Sequence, residues 1–143
     1  MKRYFNEEHI LLRDMVRDFS INEVRPKAKE IDTGIFPIEN IKKMSELGLM
    51  GIPWDEKYEG NGMDTLALVI AIEELGKECA STAATMMAHT SLGTGGIFHF
   101  GTEKQKRKYM PELASGRMIG AFGLTEPNAG SDAGNTQTTA TLD

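Results

Sequence analysis

Apolar residues recur at helical spacing over most of this 143-residue chain, and the pattern predicts about five helices. In the first helix the apolar stripe slips near Asn22, and Pro26 is expected to kink or divide the helix. This stripe consists of Leu12, Met15, Val16, Phe19, Val24, Ala28 and Ile31. Asn6 is the predicted N-cap, because its side chain can accept a hydrogen bond from the first turn.

The second and third helices are bounded by residues that favour helix ends. Pro37 suits the first turn of the second helix, and Gly48 suits the position after its last turn. Asp64 is the predicted N-cap of the third helix, which is apolar on nearly every face as far as Leu75. A helix of this composition is expected to be central, with other helices around it.

The fourth helix is predicted from Ser81 to Leu92 and is rich in alanine and methionine. We interpret this composition as core packing, and a wall that faces a ligand is the alternative. The fifth helix opens with the capping box formed by Thr102 and Gln105, and Gly116 ends it.

After Gly116 the hydrophobic pattern changes from helix to strand. Residues 118–124 are apolar on both faces, which is typical of a short buried strand, and residues 136–142 have the threonine-rich composition of a second strand. The chain is therefore predicted to be mainly α, with a helical domain over residues 1–116 and the first strands of a small β domain over residues 117–143. Two strands are marginal by themselves, so we expect this part to pack on the helices or to be poorly ordered.

Between the predicted strands lies a loop rich in glycine and in hydroxyl side chains. Pro127 removes a backbone donor and biases Glu126 away from helix. Backbone N–H groups in such a loop can bind anions, phosphates in particular, and the hydroxyls of Thr125 and Ser131 stand at its two ends. A hairpin loop without a ligand is the alternative, and the residues alone leave both readings open.

Composition narrows the class of protein. The net charge of −5 argues against nucleic acid as a partner, which would call for basic patches. Cys79 is the single cysteine, so an internal disulfide is excluded and a reducing compartment is indicated. The sequence contains no apolar run long enough for a membrane span, and we expect a protein of the bacterial cytoplasm without membrane insertion.

Residues of catalytic type lack suitable neighbours along the sequence. His9, His89 and His99 show neither metal-ligand spacing nor an acid–base partner, so we interpret His89 as a structural histidine and expect no metal site. The serines have no nucleophile-elbow context.

The sequence Gly-Leu-Thr-Glu-Pro-Asn-Ala-Gly-Ser-Asp at positions 123–132 resembles the signature loop of the acyl-CoA dehydrogenases. Every position of the family pattern is matched: a small residue, an aliphatic one, Ser/Thr, Glu, two variable residues, a small residue, Gly, Ser/Thr and Asp. One departure follows, since the family usually has a small residue where this chain has Asn135. Further landmarks are residues 48–53, 58–64, 80–83 and 100–106, and the similarity is to the short-chain or butyryl-CoA type.

The resemblance implies an FAD-dependent enzyme that desaturates short-chain acyl-CoA thioesters between the α and β carbons. In that family a carboxylate base removes the α proton while a hydride leaves the β carbon for N5 of the flavin. The base is a glutamate in a C-terminal helical domain, beyond residue 143. We therefore expect this chain to be the N-terminal part of a longer enzyme and inactive alone, and assign no catalytic residue within it, Glu126 included.

The resemblance also assigns binding residues in the loop. Phe122, Leu124 and Thr125 would contact the flavin ring, and the Thr125 hydroxyl would hydrogen-bond it. Gly130 and Ser131 would meet the FAD pyrophosphate through their backbone N–H groups, and Ser131 would also touch the CoA arm.

On the fourth helix, Thr85, Ala88 and Leu92 match positions that line the acyl pocket of the family, with ordinary core packing as the alternative. Their spacing of three and then four places them on one helical face. The resemblance further implies that electrons pass to an electron-transferring flavoprotein and that the full-length enzyme is a homotetramer.

Two other functions remain open from the sequence. One is a catalytically silent helical module that binds a partner or acyl-CoA without FAD. The other is a related flavoenzyme, such as a glutaryl-type dehydrogenase or a flavin oxidase, which substrate profiling would separate.

Overall fold

The computed structural model describes residues 4–142 of the chain. In this part, five helical runs follow one another, as the hydrophobic pattern predicts. Their bounds are α1 Glu7–Phe19 with a π-helical segment Ser20–Val24, a 3-10 turn Arg25–Lys27 and α2 Ala28–Ile31; α3 Ile38–Glu46; α4 Thr65–Glu78; α5 Ala80–Met87 with a π-helical segment Ala88–Thr94 and α6 Gly95–Phe100; and α7 Glu103–Ala114. None of the helices described is long and apolar enough to cross a lipid bilayer.

Three helix starts are capped by the side chains that the sequence indicates. At α1, Asn6 accepts a hydrogen bond from the backbone N–H of His9 at 2.8 Å, and His9 Nδ1 accepts one from the N–H of Asn6 in return. This is a capping box with histidine in the place of the usual Glu or Gln. Asp64 caps α4, and Thr102 forms the predicted box with Gln105 at α7.

The slip in the first apolar stripe coincides with the π-helical segment Ser20–Val24. A π-helix closes its hydrogen bonds over five residues instead of four, so the turn is wider. Ser20 and Val24 therefore both reach the buried side of the helix, and both are fully buried. Pro26 follows in the 3-10 turn, where the helix changes type before α2.

Two hydrophobic clusters hold the helices together. The larger one joins α1, α3, α4 and α5 with side chains from the connection between α3 and α4. The smaller one consists of Trp54, Tyr58, Met110 and Ala114, with Ile97 and Phe98 packed against it. The rings of Trp54 and Phe98 lie 4.9 Å apart, so α6 and α7 are joined through the same connection.

Helix α4 is less enclosed than its composition suggests. It packs against α1 and α5, but Val69 on its remaining face is 51% exposed, so the expectation of a helix surrounded on all sides is wrong. Glu74 is buried beside α1, where Arg17 donates to it at 3.0 Å and Lys77 at 2.8 Å. Burial alone would raise the pKa of Glu74, but the hydrogen bonds and charges of Arg17 and Lys77 lower it.

The two predicted strands are not formed. Within residues 118–142 the only bridge is the one between Glu126 and Ala129, and residues 118–124 and 136–142 pair neither with each other nor with another described segment. A strand requires a neighbour for its backbone N–H and C=O groups, and these segments lack one. Most side chains after Gly120 are exposed.

Gly116 offers a test of the packing where α7 ends. Its φ is +76°, and an added Cβ would lie 2.1 Å from Ser45 Oγ and 2.8 Å from Met50 Cγ. We predict that Gly116→Ala destabilises the protein by about 2–4 kcal/mol, through left-handed strain and overpacking together. Urea denaturation measures this change.

Gly96→Ala is the matched control for that substitution. Gly96 lies within α6, and an added Cβ there would meet no atom within 4 Å. Alanine at this position is expected to preserve or improve stability, because it is the better helix former. Equal effects of the two substitutions would contradict the packing described for Gly116.

Candidate functional site

The chain after α7 contacts the π-helical segment Ala88–Thr94 through two glycines. A Cβ on Gly93 would lie 2.6 Å from the carbonyl carbon of Gly120 and 2.8 Å from the nitrogen of Ala121. Any side chain at residue 93 would therefore push the two backbones apart. We call residues 118–142 the loop region. The contact places the start of this region against the helical run that carries Leu92.

His89 reinforces this contact with two hydrogen bonds. Its side chain is fully buried. The backbone N–H of Gly120 donates to Nδ1 at 2.8 Å, and Nε2 donates to the carbonyl of Leu113 at 3.1 Å. Because Nδ1 accepts, we assign the proton of the neutral ring to Nε2. Burial lowers the pKa of His89 and outweighs the carbonyl contacts that would raise it, so the neutral ring is favoured.

The segment that follows Gly120 presents apolar side chains to solvent. Phe122 is 57% and Leu124 41% exposed, and the Thr125 hydroxyl is exposed as well. A Cβ on Gly123 would meet no atom within 4 Å. The three residues predicted to contact a flavin ring thus form an open surface with two apolar groups and one hydroxyl.

The loop closes on Glu126. Glu126 and Ala129 exchange backbone hydrogen bonds of 2.8 and 3.2 Å and form a tight turn. The Glu126 carboxylate accepts the backbone N–H of Gln137 at 2.8 Å and that of Thr138 at 3.0 Å. These hydrogen bonds lower the pKa of Glu126. With both oxygens engaged, the carboxylate anchors the chain, which is consistent with a structural role.

Gly130 and Ser131 lie on the far side of this turn. Residues 123–132 contain no positive φ, so an anion nest of alternating handedness is not formed. A Cβ on Gly130 would meet only Thr125 Cγ2, at 3.8 Å. Glycine here leaves the backbone accessible, and the turn brings Thr125 and Gly130 side by side.

The predicted acyl-pocket residues lie on α5 and the π-helical segment after it. Thr85 and Ala88 are half-buried and Leu92 is 48% exposed, whereas Met86 and His89 on the inner side are fully buried. Ordinary core packing is therefore wrong for Leu92. The row ends beside the Gly93–Gly120 contact, so Leu92 lies close to the start of the loop region.

Sequence reasoning missed two parts of this arrangement. Gly93 interrupts a helical pattern, and a glycine inside a helix is the available signal for a close backbone approach. His89 has its partner at Gly120, 31 residues away in sequence, and nothing in the sequence marks that pairing. Within residues 4–142 no group of three or more His, Cys, Asp or Glu side chains could hold a metal ion.

The family model described as acyl-CoA dehydrogenase, N-terminal domain, matches residues 6–117. The chain belongs to the acyl-CoA dehydrogenase family. This confirms the predicted family and the helical N-terminal fold. The short-chain specific acyl-CoA dehydrogenase of Clostridium acetobutylicum is 54% identical over 137 residues, which is 95% of this chain and 36% of the relative.

Two solved structures have folds similar to that of this chain. A chain in the structure described as the electron transferring flavoprotein of Acidaminococcus fermentans is 41% identical, with a TM-score of 0.93 over 100% of this chain and 38% of that one. The acyl-CoA dehydrogenase of Bacillus anthracis complexed with FAD is 36% identical, with a TM-score of 0.87 over 93% of this chain and 23% of that one. The chain thus spans about a third of the curated relatives that it matches.

His89 predicts a pH dependence of stability. Its pKa in the folded protein lies below the value of about 6.5 expected for the unfolded chain. Between those two values the unfolded state binds more protons, so stability decreases as pH falls. We expect a contribution of up to about 1.4 kcal/mol per pH unit below about pH 6.5.

Comparison with His89→Asn isolates this contribution, because asparagine does not titrate. The difference in unfolding free energy between the wild type and the variant, measured in urea from pH 7.5 to 5.5 (roughly one unit either side of the histidine value), should shrink on the acid side. A difference that stays constant over this range would count against a buried neutral His89.

The hydrogen bonds of the Glu126 carboxylate lead to a prediction about the amides of Gln137 and Thr138. In Glu126→Gln one acceptor becomes a donor and the charge is lost, so the amides of Gln137 and Thr138 should exchange hydrogen several-fold faster. Asp132→Asn is the control, because these two amides bond Glu126 and not Asp132. Exchange that is unchanged in Glu126→Gln would show that the carboxylate is not the anchor.

Proposed function

We propose that this chain is the N-terminal part of an FAD-dependent acyl-CoA dehydrogenase that desaturates short-chain acyl-CoA thioesters between the α and β carbons. The observation that carries the proposal is the open, apolar segment 122–125, held against the helical run by the Gly93–Gly120 contact in a chain of this family. A relative that is 54% identical is named short-chain specific, which supports the choice of substrate. The proposed division of the chain is a helical domain to residue 116 and the start of a β domain after it.

The residues of the loop region suit a flavin nucleotide in their chemistry. Phe122 and Leu124 provide apolar surface for a planar ring system, and the exposed Thr125 hydroxyl can donate to a ring heteroatom. Gly130 and Ser131 have open backbone on the far side of the turn, where no Cβ on Gly130 obstructs a pyrophosphate. FAD, when bound, supplies the acceptor for the hydride that leaves the β carbon.

This chain's own contribution is to bind and orient. Phe122 and Leu124 would cover the ring and exclude water from it, and Thr125 would fix its orientation and tune its electronics. Ser131 would hold the pyrophosphate and touch the CoA arm. Thr85, Ala88 and Leu92 would form one wall of the acyl pocket, since these side chains lie on the outer part of the helix.

The base that removes the α proton is assigned to no residue of this chain. Glu126 is unsuitable because its two oxygens already bind the amides of Gln137 and Thr138, and its pKa is lowered rather than raised. We propose that the base is a glutamate outside these 143 residues and that the chain alone does not catalyse the reaction.

The proposal extends to partners. Electrons would pass to an electron-transferring flavoprotein, and the match to a chain in the structure of such a flavoprotein from Acidaminococcus fermentans supports this choice. A homotetramer in the bacterial cytoplasm completes the proposal. Phe100 is 90% exposed, which provides apolar surface for assembly.

Flavin absorbance tests the proposal directly. The protein that contains this chain should purify yellow and should bleach on anaerobic addition of butyryl-CoA, because the flavin is reduced by the substrate. Thr125→Val, which removes the hydroxyl at constant volume, should weaken FAD binding roughly tenfold.

Thr136→Val is the control for Thr125→Val, since Thr136 lies outside the proposed ring-binding segment. A colourless protein without flavin absorbance would overturn the proposal. Bleaching by glutaryl-CoA in preference to butyryl-CoA would replace the short-chain substrate with the decarboxylating reaction class.

A further inference from the structure

Two residues of the π-helical segment Ala88–Thr94 contact Gly120. His89 accepts its N–H, and Gly93 meets its backbone so closely that a Cβ on Gly120 would lie 3.2 Å from Gly93 Cα. His89 and Gly93 lie one turn apart on the same segment. The hydrogen bond to His89 orients the Gly120 N–H, and the van der Waals contact with Gly93 sets the distance between the two backbones.

Residues 121–125 have no regular structure of their own to hold them. On one side the chain is joined to the helical run at Gly120 by His89, and on the other side a local turn between Glu126 and Ala129 follows. Between Gly120 and this turn, Phe122 and Leu124 are exposed to solvent. The position of this short span relative to the helices therefore depends on the attachment at Gly120.

We propose that His89 is a positioning residue for the flavin: through Nδ1 it holds the Gly120 amide and so sets where residues 122–125 meet the ring. The inference rests on the proposed function, because that function is what places a flavin on residues 122–125. His89 itself touches no ligand in this scheme. It acts through the backbone, from the buried side of the helix whose outer side carries Leu92.

Two amide substitutions separate the two hydrogen bonds of His89. The side-chain amide of asparagine overlies Nδ1 of histidine, so His89→Asn keeps an acceptor for the Gly120 N–H and loses the contact with Leu113. The amide of glutamine overlies Nε2, so His89→Gln keeps the donor to Leu113 and loses the acceptor for Gly120. Each variant loses one buried hydrogen bond, and only one of them releases Gly120.

Hydrogen exchange at the Gly120 amide is the first measurement, and it needs no ligand. In His89→Gln this amide should exchange about tenfold faster, the factor expected for one net hydrogen bond, whereas in His89→Asn it should stay within about threefold of the wild type. Equal exchange in the two variants would overturn the proposal, since His89 would then not hold Gly120.

FAD affinity and the flavin absorption spectrum of the holoprotein are the second measurement. His89→Gln should bind FAD roughly tenfold more weakly than the wild type and shift the absorption spectrum. His89→Asn should keep the FAD affinity and the spectrum of the wild type. If His89→Gln frees the Gly120 amide but leaves FAD affinity and spectrum unchanged, the positioning role is wrong while the proposed function stands. A wild-type protein that binds no FAD would overturn the proposed function, and this inference with it.

His9→Gln is the matched control. His9 is also buried, its Nδ1 also accepts a backbone N–H, that of Asn6, and its Nε2 bonds Asp64 at 2.9 Å. The substitution should lower stability without changing Gly120 exchange or FAD affinity. An equal loss of FAD affinity in His9→Gln would show that general destabilisation, not positioning, explains the effect of His89→Gln.

Discussion

The absence of a side chain at Gly93 allows a helix and an irregular segment to lie in backbone contact. Because the contact is between main-chain atoms, it does not depend on a rotamer, and it is supported by a hydrogen bond that the Gly120 N–H donates to a buried histidine. The exposed residues proposed to bind a ligand are thereby attached to a well-packed helical body. A single added methyl group at residue 93 would separate the two parts.

The helical body is held much more strongly than the loop region. Its helices share a continuous hydrophobic cluster, and α1 is joined to α4 by the ion pair between Arg17 and the buried Glu74. The loop region has few buried side chains, of which Ala129 is one, and depends on isolated hydrogen bonds. Local opening is expected to be easiest where buried contacts are fewest, which places the mobile part of the site in the loop rather than in the helices.

Local chemistry explains which features the sequence could predict. The caps at Asn6, Asp64 and Thr102 depend on residues three positions apart, and the slip near Asn22 marks the first π-helical segment. The two predicted strands did not form, because strand pairing depends on partners elsewhere in the chain and the composition of a segment does not specify them. Val69 shows the same limit of sequence-based prediction. It is apolar but half-exposed, because an apolar residue type does not specify which neighbour will cover it.

The candidate site divides in the same way. Thr125, Gly130 and Ser131 are predicted from the resemblance of a contiguous motif, and Leu92 from its match to a family position on a helix. The contact that joins them could not be predicted, because it pairs the side chain of His89 with a backbone amide in a distant, irregular segment. Side-chain patterns carry little information about backbone amides that serve as partners.

Trp54 is the only tryptophan in the sequence, and it lies in the small cluster beside Phe98, with its ring edge near Gly95, the residue that follows the second π-helical segment. Intrinsic fluorescence from this protein therefore comes from one buried chromophore at a single, known place. Its emission will report on the packing of α6 and α7 around this cluster.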